Sequence, residues 1–215
     1  NPVTTSILST VFVRVNNTLT SNCYDIKAIN IIVNKLPEPT PKDGHVCIDN
    51  ETGVLLNSYT MYSGLSASAH SFVWTNELGE VVSNYTAYTA TIPGIYTLVA
   101  IKTATGCASK PYEVIVEQSE PAEITYVVED DFSSNQRIIV TANGVGGDYE
   151  YKLDSGQFQD SNIFENVLSG LHTITVRDKN GCGITTLEAL VINYPKFFTP
   201  NGDGKNDVFS FNAIN

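Results

Sequence analysis

Three segments of this chain share one pattern: a strand-like stretch, a polar turn with a cysteine, a second strand-like stretch and a proline. The copies align on Cys23, Cys107 and Cys182, which are spaced by 84 and 75 residues. Their second stretches close on Pro37, Pro121 and Pro195. Self-similarity at a nearly fixed period indicates a repeat architecture, and this spacing suits a series of small β-sandwiches.

Each copy predicts a β-hairpin. Residues 96–101 and 172–176 alternate as strands do, and the glycine-containing connections 103–106 and 178–181 reverse the chain. Proline has no N–H to donate to a sheet, so it ends the last strand of each copy. Short strands separated by frequent turn signals favour antiparallel sandwiches, and no segment has the pattern of an amphipathic helix. We therefore predict an all-β fold of tandem antiparallel β-sandwich modules.

The composition agrees with strands and excludes several classes of protein. The 215 residues carry 12 Lys+Arg and 23 Asp+Glu, for a formal charge of −11, which is the wrong sign for a nucleic-acid surface. Thr, Ser, Asn, Val, Ile and Tyr are favoured, and these suit strands and turns rather than long helices. No apolar run approaches the roughly 18 residues that cross a bilayer. Four Cys beside one Met and one Trp fit an exported protein.

The repeat divides the chain into four segments. Residues 1–37 are expected to be the C-terminal part of a truncated module, 38–119 and 120–194 two β-sandwich modules, and 195–215 the beginning of a further domain. The chain starts at Asn1 without a signal peptide and stops at Asn215 inside an unfinished pattern, so we expect an excerpt of a longer protein. The predicted strands of the two modules are 54–61, 71–75, 86–91, 96–102, 112–117, 124–128, 137–142, 149–153, 173–177 and 187–192.

The cysteines predict one disulfide, between Cys47 and Cys107. Cys47 precedes the first long strand of segment 38–119, and Cys107 lies at the start of its last strand. Their bond would close a loop of about 60 residues and stabilise the module by about 4 kcal/mol. Cys182 has no companion in its own segment and is expected to be a free buried thiol. Cys23 is expected to have its partner outside this sequence.

No catalytic constellation is recognisable. His45, His70 and His172 lie in unrelated contexts without metal-ligand spacing, and no nucleophile-turn or phosphate-loop motif is present. The acidic run 129–131 could be a carboxylate pair for acid–base chemistry or a metal site, but a solvated loop between two strands is the default. We therefore predict that the chain is not an enzyme.

The aromatic residues favour packing over ligand binding. Trp74 lies in a predicted central strand, where a sandwich often buries a large aromatic side chain. Tyr85 and Tyr88, with nearby threonines, form the alternative, a sugar-binding face. Scattered aromatic residues on strands more often belong to the core.

The loop 201–207 is the better candidate metal site. Asn201, Asp203 and Asp207 lie in N-G-D-G-K-N-D, which has the alternating oxygen-bearing side chains and glycines of many Ca²⁺ loops. The bidentate Glu of a complete EF-hand is missing. The alternative is an Asn/Asp/Gly turn whose side chains bond their own backbone. Apart from calcium here, no cofactor is expected.

Residues 194–209, Y-P-K-F-F-T-P-N-G-D-G-K-N-D-V-F, closely resemble the opening of the type B C-terminal sorting domain of Bacteroidetes type IX secretion cargo, often called gliding-motility-associated. Residues 148–164 and 172–183 resemble the repeat modules that precede this domain in large surface adhesins of the SprB type. Segment 38–119 is similar to their Ig-like or PKD-like modules. The residues of the sorting motif are Phe197, Phe198, Thr199, Pro200, Asn201, Gly202, Asp203, Gly204, Asn206 and Asp207.

The resemblance implies export across the outer membrane by the type IX translocon and display at the cell surface. It also implies a PorP/SprF-like outer-membrane barrel protein as the partner of the sorting domain. The expected function is a non-catalytic stalk of a surface adhesin that serves gliding motility or attachment to a surface glycan or other cell-surface ligand. Two alternatives stay open, a spacer and sorting region of an exported hydrolase with its catalytic domain upstream, and a carbohydrate-binding module in 38–119.

Overall fold

A computed structural model describes residues 7–16, 24–129, 136–192, 199–204 and 207–208 of the chain. These residues form sixteen β-strands and no helix, so the prediction of an all-β fold is confirmed. In chain order the strands are β1 (Ile7–Asn16), β2 (Tyr24–Val33), β3 (Gly44–Ile48), β4 (Leu55–Asn57), β5 (Tyr59–Tyr62), β6 (His70–Thr75), β7 (Val81–Ser83), β8 (Ala87–Ala90), β9 (Gly94–Lys102), β10 (Tyr112–Ser119), β11 (Glu123–Glu129), β12 (Gln136–Asn143), β13 (Tyr149–Leu153), β14 (Ile163–Val167), β15 (Gly170–Asp178) and β16 (Gly183–Val191).

The chain divides into two compact units that alternate along the sequence. The first unit contains Asn1–Asp43, Thr60–Thr89 and Gly94–Ile115. The second unit contains Gly44–Tyr59, Ala90–Pro93 and Val116–Asn215. The first half of β10 therefore belongs to the first unit and the second half to the second unit. The module limits at 38, 120 and 195 stay a prediction.

The three repeat copies form hairpin strands. β1 pairs antiparallel with β2 from Ile7↔Val33 to Asn16↔Tyr24. β15 pairs in the same way with β16, from Gly170↔Val191 to Asp178↔Gly183. β9 and β10 are neighbours in one sheet. The turn of the first hairpin, 17–23, lies outside the described residues.

Two three-stranded sheets form a β-sandwich in the second unit, with the strand orders β11-β12-β14 and β13-β15-β16. Every pairing within them is antiparallel. Alternate side chains of a strand point to one face, and those that face inward form a closed apolar core. Its buried residues are Ala122, Ile138, Val140, Val167, Ile174, Val176, Ala189 and Val191. Burial of each large aliphatic side chain stabilises the fold by about 1.5–3 kcal/mol, and the predicted sandwich is confirmed here.

The first unit has its own core around Trp74. Its strands β10, β9, β6 and β7 are neighbours in that order, and Trp74 on β6 lies opposite Leu98 on β9. Both side chains are fully buried. The indole Nε1 donates a hydrogen bond to the carbonyl oxygen of Tyr85 at 3.1 Å, so the one polar atom of the buried ring is satisfied. The expected core position of Trp74 is confirmed.

The strand that carries Cys47 was not predicted. β3 pairs parallel with the second half of β10, from Val116↔Gly44 to Ser119↔Cys47. A parallel pair is made between segments far apart in sequence, so no local turn signal announces it. β7 and β14 were also missed. β7 has only three residues, and β14 contains Asn166 at a φ of 56°, which interrupts the strand pattern.

Candidate functional site

A disulfide joins Cys47 to Cys182, with 5.2 Å between the two Cα atoms. Both residues belong to the second unit. Cys47 lies on β3 beside Ser119 of β10, and Cys182 is the last residue before β16. Both cysteines are buried, with 2% and 4% of their surface exposed. The bond closes a loop across a sequence separation of 135 residues.

This disulfide corrects two predictions. The expected Cys47–Cys107 bond is wrong, because Cys47 is bonded to Cys182 and a cysteine forms only one disulfide. The expectation that Cys182 is a free thiol is wrong for the same reason. Cys107 is a free, half-buried thiol, and its carbonyl oxygen accepts a hydrogen bond from the N–H of Lys102 at 2.9 Å. Cys23 lies outside the described residues.

The carboxyl group of Asp178 fixes the turn that presents Cys182. This side chain is 97% buried, and its Oδ2 accepts hydrogen bonds from the Cys182 N–H at 3.1 Å and from the Ser119 hydroxyl at 2.9 Å. Its Oδ1 accepts from the N–H groups of Asp148 and Asn180, each at 3.1 Å. One buried carboxyl group thus holds the turn, a neighbouring loop and the end of β10 around the disulfide.

Tyr149 and Glu120 extend this polar network. The Tyr149 hydroxyl donates to the Glu120 carbonyl oxygen at 3.0 Å. Burial, followed by the nearby carboxyl groups of Asp178 and Glu120, raises the pKa of Tyr149 to about 12. The hydroxyl therefore stays protonated and continues to donate at neutral pH. In the sequence Asp178 looks like an ordinary turn residue of D-K-N-G-C, and no local signal predicted that it would be buried.

A cleft of about 340 Å³ lies in the second unit beside this network. Four carboxyl groups line it, and two of them, Glu120 and Asp49, hold the loops around it. Glu120 accepts the N–H groups of Asn50 at 3.1 Å and Val145 at 2.7 Å. Asp49 accepts the Thr52 hydroxyl and N–H, both at 2.7 Å, and these bonds hold the pKa of Asp49 below its ordinary value. The cleft residues are Asp49, Asn50, Glu51, Glu120, Pro121, Ala122 and Glu123.

The three histidines lie apart and in different contacts. His45 lies 3.3 Å from the Glu117 carboxyl group, and His70 Nδ1 lies 3.2 Å from the Ser66 carbonyl oxygen. His172 makes the most contacts, with Nδ1 at 2.8 Å from Asp154 Oδ2 and Nε2 at 2.7 Å from the Leu168 carbonyl oxygen. Across the part of the chain that the structure describes, no three His, Cys, Asp or Glu residues converge on a metal position.

Residues 199–204 and Asp207 form a hydrogen-bonded turn. Asp207 Oδ1 accepts the Gly202 N–H at 2.7 Å, and its Oδ2 accepts the Gly204 N–H at 2.6 Å. These two bonds hold the pKa of Asp207 below its ordinary value. Asn201 Oδ1 accepts the Asp203 N–H at 3.2 Å, and Asn201 Nδ2 donates to Asp203 Oδ2 at 3.0 Å.

This geometry is the self-bonded turn that was the alternative to a calcium loop. The side-chain oxygens of Asp207 and Asn201 that could bind calcium accept backbone hydrogen bonds instead. Calcium binding at Asn201, Asp203 and Asp207 stays a prediction. Thr199, Pro200, Gly202 and Gly204 lie on the exposed surface of this turn. Phe197, Phe198 and Asn206 lie outside the described residues.

The remaining sequence-predicted positions have ordinary contacts. Tyr85 is 80% exposed, whereas the Tyr88 ring packs against Tyr96 with 5.2 Å between centroids. Glu129 accepts a hydrogen bond from Arg137 Nε at 2.8 Å, and residues 130–131 lie outside the described part. Within the described ranges, no helix is long and apolar enough to cross a membrane.

No protein-family model matches the sequence, and no curated protein matches it. Among solved structures, the C-terminal 282-residue fragment of intimin, in complex with the intimin-binding domain of the translocated intimin receptor, is similar at 14% identity with a TM-score of 0.40. That match covers 74% of this chain and 66% of the fragment. The CD2-binding domain of CD58 is similar at 10% identity and a TM-score of 0.42, covering 72% and 99% of the two chains. Immunoglobulin domains 1–4 of Sidekick-1 match at 12% identity and a TM-score of 0.26, covering 91% and 71%.

The fold assignment follows from the two three-stranded sheets of the second unit, which form an Ig-like antiparallel β-sandwich. The site that this fold builds is a covalently closed, buried polar network. Its role is structural, since the carboxyl groups of Asp178 and Glu120 accept hydrogen bonds from backbone and side-chain donors of the surrounding segments.

Proposed function

We propose that this chain is a non-catalytic stalk and export-proximal region of a large cell-surface adhesin that the type IX secretion system carries across the outer membrane. The observation that carries the proposal is the sequence 194–209, with its resemblance to the opening of a type B sorting domain. In this proposal, residues 1–194 are stalk modules, and the residues from 195 onward begin the sorting signal for export. Gliding motility or surface attachment is the role that such a stalk serves.

The disulfide supports an extracellular setting. Disulfides form and persist in oxidising compartments and are rare in the cytosol, and both cysteines of the Cys47–Cys182 bond are buried in the second unit. The formal charge of −11 supports display in a dense array, because like-charged modules stay soluble and apart.

The turn at 199–207 supports recognition by the export machinery. Asp207 holds the turn through two backbone hydrogen bonds, and residues 199–204 are exposed. A preorganised, exposed turn loses little conformational freedom on binding. The partners in this proposal are the type IX translocon and a PorP/SprF-like outer-membrane barrel protein.

A secreted fluorescent reporter joined to residues 120–194 and the complete sorting domain tests the proposal. We expect the reporter to reach the surface or medium in a type IX-competent cell, and to stay periplasmic when the translocon gene is deleted. Asp207→Ala should reduce export because it removes both bonds that close the turn. Asp160→Ala is the matched control, since Asp160 is an exposed aspartate that forms an ion pair with Lys179. Export that is independent of the translocon would contradict the proposal.

A further inference from the structure

We infer that the Cys47–Cys182 disulfide is a covalent load path that withholds residues 48–181 from extension when the chain is pulled from its two ends. The biological use of this load path rests on the proposed function as a surface stalk. The connectivity that creates the load path does not depend on that proposed function, because it follows from the bond between Cys47 and Cys182 alone.

The position of the bond determines how a pulling force passes through the polypeptide. Force applied at the N-terminal side reaches Cys47 through the residues before it, crosses the disulfide, and leaves through the residues after Cys182. The covalent bond spans 5.2 Å between Cα atoms, whereas the enclosed chain has a sequence separation of 135 residues. Fully stretched, that chain would reach about 470 Å. The bond therefore withholds almost all of this length.

The enclosed loop holds most of the folded chain. Strands β4 to β15 lie between the two cysteines, including all of β11, β12 and β14, one complete sheet of the sandwich. β13 and β15 of the facing sheet are enclosed as well. Under tension these strands can unfold only locally, because the distance between the ends of the enclosed loop cannot increase while the disulfide is intact.

The two anchor points are firmly held. Cys47 lies in a strand paired with β10, at the position opposite Ser119. Cys182 lies in a turn that Asp178 fixes: Asp178 Oδ2 accepts the Cys182 N–H at 3.1 Å and the Ser119 hydroxyl at 2.9 Å. Ser119 is thus linked to both cysteines: to Cys47 by the pairing of β3 with β10, and to Cys182 through Asp178.

Among the described strands, β16 is the one nearest to the C-terminal point of pulling. It begins at Gly183, directly after Cys182, and pairs with β15 through to Val191. Tension between Cys182 and the residues after Val191 runs along β16, which is already extended, so its separation from β15 adds little length. The disulfide at Cys182 passes the load to Cys47 and sets the covalent limit to extension.

Single-molecule stretching of the full chain between handles at its two ends tests this inference. Every chain carries Cys23→Ser, so that residue cannot form another crosslink. We expect the oxidised chain to reach a maximum length about 470 Å shorter than the Cys47→Ser/Cys182→Ser chain. Cys107→Ser is the matched control, and it should leave the length of the oxidised chain unchanged because Cys107 is a free thiol.

The length at full stretch does not depend on whether a variant folds, so misfolding of the double variant leaves the comparison valid. A phosphine reductant added to a held oxidised molecule should release the same additional length. Equal lengths for the oxidised parent and the double variant would overturn the inference, as would a shortening that disappears with Cys107→Ser. Failure of the reporter to be exported would overturn the proposed function and leave this length difference in place.

Discussion

Cys47 on β3 and Cys182 before β16 are bonded across 135 residues, although the sequence repeat assigns them to different modules. Closing a loop of that size lowers the entropy of the unfolded chain and stabilises the folded state by about 5 kcal/mol in the chain-entropy model. We expect Cys47→Ser to lower the free energy of unfolding of the second unit by several kcal/mol in urea denaturation. Cys107→Ser, which removes no bond, should cost less than about 1 kcal/mol. Equal losses for the two variants would contradict the assignment.

Replacement of Asp178 by Asn should destabilise the same unit. An amide group has one acceptor oxygen where the carboxyl group has two, so two of the four donors around it would lose their acceptor. Unsatisfied buried donors cost about 1–3 kcal/mol each, and we expect a loss of about 3 kcal/mol in urea denaturation of the oxidised protein. Asp160→Asn is the control, because its side chain is 85% exposed and such surface ion pairs contribute at most about 1 kcal/mol. Similar losses for both variants would argue against the buried network.

The contact between Asp154 and His172 predicts a dependence of stability on pH. Burial raises the pKa of Asp154, but the hydrogen bonds from His172 and the Thr173 N–H, with the electrostatic attraction of His172, outweigh burial and hold it below the ordinary 3.8. Because the folded-state pKa is lowered, the carboxylate contributes stability above about pH 4, and this is lost as the pH falls through the lowered value.

Urea denaturation of the parent and of Asp154→Asn between pH 2 and 7 measures this effect. We expect the difference in unfolding free energy between the parent and the variant to be present at pH 5 and to shrink as the pH falls below about pH 4. A difference that is the same at pH 2 and pH 5, or that grows as the pH falls between them, would show that this carboxylate is not stabilised by its contacts in the folded state.

Calcium binding at Asn201, Asp203 and Asp207 remains open to a direct measurement. Calcium would have to compete with the Gly202 and Gly204 N–H groups for the Asp207 oxygens. If it does so, the melting temperature should be higher in Ca²⁺ than in chelator, and Asp203→Ala should abolish the difference. Asp160→Ala should preserve it. Identical melting curves in Ca²⁺ and chelator would contradict calcium binding and support the self-bonded turn.

The local features of this chain could be predicted because short-range chemistry decides them. The hairpin β15–β16 follows from alternation on both sides of a glycine-containing turn, and the burial of Trp74 follows from its place in an apolar strand. Both depend on residues near each other in sequence. The prediction of a sandwich needed only that such strands bury one face.

The disulfide could not be predicted because pairing between distant segments decides it. Cys107 and Cys182 occupy the same place in the repeat, and the shared segment 38–119 favoured Cys107 as the partner of Cys47. The parallel pairing of β3 with β10 instead places Cys47 opposite Ser119, next to the turn that Asp178 holds. Nothing in the segment G-H-V-C-I distinguishes this parallel strand from a loop before a hairpin.

Peptide mapping without reduction tests the central claim most directly. Trypsin should release Cys47 in peptide 43–102, Cys107 in 103–137, because Lys110 precedes proline, and Cys182 in 180–196. With free thiols blocked before digestion, we expect peptide 43–102 linked to 180–196 and the blocking group on Cys107. A link between 43–102 and 103–137, or blocked thiols on both Cys47 and Cys182, would contradict the account.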